Sequence, residues 1–217
     1  MSEELGKIEK PSAEALKEGR KLYFVPIIYS GGEAPAEFLE KCRKYWEQVE
    51  AQVSDLEQKL GKISRVYHEL IPEGGEGGLI VIKELNEQSH QIIKNRLEKG
   101  AQLEAAEEGE LLTEFTDWGR CLAIGLQNQK VLTTVYQSYT EAGKKRNEYI
   151  ARHIDETLQA DENGVLFMRE GHQVQFPADI RVFYVAPPAL DELNRWLRDR
   201  TAPPPPEDNR AAGKEEE

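Results

Sequence analysis

The chain has little of what several function classes require. Only two cysteines occur in 217 residues, Cys42 and Cys121, and they stand apart without CxxC spacing. That excludes a disulfide framework and a cysteine-based structural zinc site, and it fits a reducing compartment. Long apolar runs are missing, so no segment is predicted to span a bilayer. Residues 1–20 are charged throughout and lack the apolar centre of a signal peptide, so the expected location is the cytoplasm. Positive charge is scarce as well: 28 basic residues face 40 acidic ones, a net charge of -12, which repels a phosphate backbone and argues against nucleic acid. Signature motifs are also lacking. No P-loop, GxGxxG, GxSxG or HExxH pattern is present, which removes the common nucleotide, esterase and zinc-protease readings.

What remains is a length and an apolar content of 39% that suit one core-forming domain. Lys21 to Tyr29 reads as a buried strand, with Pro26 pointing to an edge or a bulge. A long helix should start near Pro35. Leu39, Cys42, Trp46, Val49, Val53, Leu56 and Leu60 recur on it at alternating spacings of three and four, the pattern of a helix packed along another helix. Ile63 to Ile71 is expected to be a strand with one drier face, and PEGGEGG a loop. The periodicity then predicts helices over 79–99, 103–126 and 130–158, strands over 165–168 and 180–185, and a last helix over 189–200. If the two central helices form an antiparallel hairpin, its register sets Arg146 beside Glu107, so Arg146 with Glu107 or Glu108 is the expected structural ion pair.

The predicted architecture is α/β: a small, mainly parallel sheet of four or five strands with flanking helices and an inserted long helical hairpin. One domain over 21–200 should hold this sheet, with the helical insertion at about 79–158 and the first helix packed on the hairpin. Residues 1–20 are expected to be weakly ordered, and the Pro-rich acidic tail 201–217 to be disordered.

In parallel sheets the loops after the strands share one edge, and ligands bind there. Those loops carry Glu33, Glu73, Glu76, Glu170 and His172, a set that could hold a divalent cation such as magnesium, manganese or zinc. In that reading Glu170 and His172 are the catalytic candidates of a metal-dependent hydrolase, with His172 as ligand or general base. The leading expectation is a binding protein for a small ligand or a protein partner, a basic one where the acidic helical surface over 104–114 is what meets it. A self-associating scaffold built on the Leu39–Leu60 stripe, and hence a homo-oligomer, is the third. Arg146-Asn147 and Ile150-Ala151 on one helix, then a strand and Gly171-His172, resemble the C-terminal end of the TraB and ChaN-like group. The resemblance covers about a fifth of the chain. That group's early strand ends in Gly-Thr-x-His where this one ends in Tyr29-Ser30-Gly31, and no residue role is carried over from it.

Overall fold

The computed structural model describes residues 17–31 and 34–201. Five strands form one sheet: β1 (Lys21–Pro26), β2 (Arg65–His68), β3 (Gln102–Leu103), β4 (Asn163–Met168) and β5 (Arg181–Tyr184). Their order is β3-β2-β4-β1-β5 and every pairing is parallel. The helices are α1 (Ala36–Leu60), α2 (Gly75–Leu85), α3 (Glu87–Leu97), α4 (Gly109–Ala123), α5 (Gln129–Thr157) and α6 (Pro188–Thr201). No helix among the described residues is long and apolar enough to cross a membrane.

The two central strands, KLYFVP and NGVLFM, are buried along their whole length, because helices cover both faces of the sheet. Alternation along β1 divides the core. Tyr23 and Val25 join α1, α3 and α6 on one face, while Leu22 and Phe24 join α5 on the other. β2 follows suit: Val66 belongs to the first cluster and Tyr67 to the second, so neither face of this strand is wet. Pro26 does not mark an edge, since β1 lies between β4 and β5. Pairing with β5 stops at Phe24 and Tyr184, so the proline falls one step past the place where its missing N–H would be needed.

The α1 stripe is buried inside this fold. Cys42, Trp46, Val49 and Val53 face the sheet, and Phe38 rather than Leu39 starts the row; Leu39 is 41% exposed. Phe38 stacks on Trp196 of α6 at 5.2 Å, and Trp46 on Phe167 of β4 at 6.4 Å. The helix therefore packs on α6, α3 and the sheet, on the face opposite the α4–α5 hairpin and not against it. Burial pushes the Cys42 thiol up to about 11, as befits an inert core residue.

The expected helix over 79–99 is two helices. Asn86 breaks it in an extended conformation, accepts from the Ser89 N–H at 2.9 Å as the α3 cap, and donates to the Ile28 carbonyl at 2.7 Å. The glycine-rich stretch expected as a loop opens α2, where a Cβ on Gly78 would collide with the Glu73 carbonyl. The helix expected from 103 begins only at Gly109, because Leu103 pairs with Val66 as part of β3. The range 79–158 thus holds α2, α3 and an edge strand besides the hairpin. Of the 1–20 segment, residues 17–20 are fastened to the body: Arg20 reaches Asp155 at 2.7 Å and Asp179 at 2.8 Å. Residues 1–16, and the 202–217 part of the tail, lie outside the described residues.

Candidate ligand-binding cleft

Because all strands run parallel, their C-terminal ends open on one edge, and the residues just past them meet. β1 leads to Tyr29, β2 to Glu69, β3 to Glu107 and β4 to Arg169. The fifth member, Arg146, comes from α5. Its guanidinium donates from Nε to Glu107 Oε2 at 2.7 Å and from Nη2 to Glu107 Oε1, a two-pronged pairing of planar groups. Glu107 Oε1 also accepts the Leu70 N–H at 2.9 Å. Glu69 is 2% exposed; its Oε1 accepts from Tyr29 Oη at 3.1 Å and from Arg169 Nε at 3.0 Å, while Oε2 lies 3.8 Å from Arg146 Nη2. Two carboxylates and two guanidiniums thus form a network of zero net charge, which is what makes burial of Glu69, Glu107 and Arg146 tolerable, with Arg169 exposed at its edge.

Burial weakens the Arg146 cation, but the hydrogen bond and charge of Glu107, with the charge of Glu69, outweigh it and hold its pKa above the ordinary arginine value. Tyr29 is pushed up, first by burial and then by Glu69, so its hydroxyl stays protonated and donates. Leu70 joins the two carboxylates at φ 66°, a left-handed conformation rare for a branched side chain and one that marks sites held in place by their surroundings. Glu108, the other carboxylate nominated for Arg146, instead caps α4 by accepting from the N–H groups of Glu110 and Leu111 at 3.1 and 2.7 Å.

Above the network lies a cleft of about 670 Å³ between the strand ends and the hairpin. Phe115, Tyr136 and Tyr139 supply one wall, and Arg169, His172 and Asn147 line the polar end. Phe115 stacks on Tyr139 at 4.8 Å and lies under the Arg146 guanidinium at 5.0 Å. The two helices come this close because position 143 is glycine: a Cβ there would sit 3.2 Å from the Phe115 ring. An adjoining cleft of about 610 Å³ shares Lys144, Asn147, His172 and Gln173 with the first.

His172 is held by its ring neighbours Phe24 at 4.7 Å and Phe176 at 5.9 Å. Its Nδ1 lies 3.2 Å from the Val174 N–H, which can only donate, so Nδ1 accepts and the neutral ring carries its proton on Nε2. Burial lowers the His172 pKa and favours this neutral form. The imidazole is therefore arranged as a hydrogen-bond donor through Nε2, whereas a metal ligand or general base would need a free lone pair there.

The five residues expected to share a cation are not assembled by the described part of the chain. Glu33 lies outside it. Glu170 and His172 line the cleft, but the Glu170 oxygens accept from Tyr184 Oη at 2.7 Å and Asn194 Nδ2 at 3.2 Å. The loop after β2 turns at once into α2, and carries Glu73 against Gly77 and Gly74 against the end of β3. Among the described residues no three His, Cys, Asp or Glu side chains converge for a metal. Glu69 and Arg169, which form the floor instead, each directly follow a strand, Glu69 behind His68 and Arg169 behind Met168. No family model, no curated protein and no solved structure matches the chain.

Proposed function

We propose that this chain is a binding protein for a small organic ligand, taken up in the cleft between the strand ends and the α4–α5 hairpin. The observation that carries the reading is the neutral network of Glu69, Glu107, Arg146 and Arg169 under that cleft, fixed on the strained Leu70. Such a floor offers directed polar groups without a net field of its own, beside an aromatic wall, and that combination is typical of small-molecule sites. The hydrolase alternative draws less support, because His172 presents a donor and Glu170 is engaged by Tyr184 and Asn194. A scaffold built on the α1 stripe loses its basis, since that stripe is covered by the chain's own sheet and α6.

The reading is tested by filling the cleft. Thr140 is exposed on its rim and, among the described residues, its hydroxyl bonds only back to the Tyr136 carbonyl at 2.9 Å. Thr140→Trp is expected to change the stability of the unliganded protein by less than about 0.5 kcal/mol. The same variant should abolish binding of whichever metabolites a thermal-shift screen finds for the unchanged protein. Ligands that stabilise both proteins equally, or a screen without a hit, would refute a small-molecule site here.

A further inference from the structure

We infer that the ligand of this cleft is an organic anion, with a carboxylate or phosphate on Arg169 and a flat apolar body along Phe115, Tyr136 and Tyr139. The inference rests on the small-molecule reading above and names the chemical class.

The first argument is charge. The chain as a whole is acidic, 40 acids against 28 bases, yet the cleft is not: Lys144, Arg146 and Arg169 balance the buried Glu107 behind Arg146 and, on the lining itself, Glu69 and Glu170. Both of those carboxylates already accept hydrogen bonds within the protein, Glu69 from Tyr29 and Arg169, Glu170 from Tyr184 and Asn194. The unengaged groups are donors. Arg169 donates from Nε to Glu69 and its guanidinium lies 5.8 Å over the Tyr29 ring; its two terminal amino groups have no hydrogen-bond partner among the described residues, and the side chain is 54% exposed. A guanidinium fixed at Nε presents its remaining fork in one direction, a geometry that matches the paired oxygens of a carboxylate or phosphate. The His172 Nε2–H and the Asn147 side chain, both on the lining, add donors beside it.

The second argument is shape. Phe115 and Tyr139 are stacked as one surface and Tyr136 is 61% exposed next to them, an apolar area that an inorganic ion would leave uncovered. A ring on that wall with an acidic group at Arg169 uses both ends of the space.

Calorimetric titration of the full chain with 2-naphthoate and with 2-naphthyl phosphate tests this, with 2-naphthalenemethanol as the neutral shape control and inorganic phosphate as the bare anion. At least one naphthyl anion is expected to bind at least tenfold more tightly than the alcohol and than inorganic phosphate. Which anion is tighter tells carboxylate from phosphate. Arg169→Gln should weaken that anion about tenfold and leave the alcohol unchanged. Lys144→Gln, on an exposed side chain outside the buried network, should weaken it about threefold and decides the matter if the first variant does not fold. Equal affinity for alcohol and anions, no effect of either substitution, or no binding of either anion overturns the assignment. If the alcohol binds and Thr140→Trp abolishes that binding, only the anionic class has failed; if anion binding survives Thr140→Trp, the cleft itself is not the site.

Discussion

Arg146→Ala is expected to remove about 3–5 kcal/mol of folding stability, the usual penalty for stranding one partner of a buried ion pair. Glu107 is 1% exposed and would keep only the Leu70 N–H, while Glu69 would rely on Arg169 and Tyr29 alone. The loss extends beyond charge, because the Arg146 side chain also covers Phe115 and so ties α4 to the sheet edge. In a domain of this size the melting temperature should fall by roughly 10 °C. The double variant Arg146→Met/Glu107→Leu separates stranded charge from lost packing. It removes both ions and should recover more than half of the loss, less the unpaired Leu70 N–H at about 1 kcal/mol. Urea unfolding followed by circular dichroism measures all three proteins. A loss below about 1 kcal/mol in Arg146→Ala would mean that water reaches the pair and that the network is not the rigid floor described.

The second large effect is a pH dependence from His68. This residue is fully buried, with Nδ1 against the Glu69 carbonyl at 2.6 Å and Nε2 against Ser89 Oγ at 3.3 Å. Burial holds its pKa down at about 4, only partly opposed by the Glu69 carbonyl. The unfolded chain takes up this proton near pH 6.5, whereas the folded chain resists it to about 4. The stabilisation is therefore full above about pH 6.5 and declines as the pH falls through the window to 4. Between pH 7 and pH 5 the decline is about 2 kcal/mol from this group alone. His68→Gln can keep a polar contact to Ser89 and has no such titration, so its urea midpoint should change much less over the same interval. Equal pH slopes for both proteins would show that His68 does not carry the effect.

How far the sequence revealed this molecule follows from which signals are local. β1 and β4 were legible because a strand buried on both faces is a continuous apolar run, and the α1 stripe because its spacing survives wherever the helix docks. What α1 docks against was not legible: the same stripe suits a hairpin or a sheet face, and only the sheet order decides between them. The contact of Arg146 with Glu107 came within reach because antiparallel helices fix register, and Phe115 stacked on Tyr139 lies within one residue of it. The two-residue strand β3 left no pattern, and was hidden at the start of an expected helix. The cleft floor was missed for a related reason. Glu69 falls inside the strand expected over 63–71, which the structure ends at His68, and a shift of one or two residues at a strand end turns a side chain from a sheet face to the ligand edge. Glutamates in the glycine-rich stretch 73–78 looked exposed and available, but a short loop winding straight into α2 carries them away from the cleft.

The most direct test of the central claim is a nitrogen-15 NMR titration of the full chain with 2-naphthoate and, separately, with 2-naphthyl phosphate, following backbone amides and the arginine Nε–H signals. The binding-cleft account predicts shifts confined to Glu69 and Leu70, to 136–147 on α5 and to 169–173, with the Arg169 Nε–H among the largest. Shifts centred instead on the exposed apolar side of α2 at Ile80, Val81 and Leu85, or no shifts at all, would contradict it.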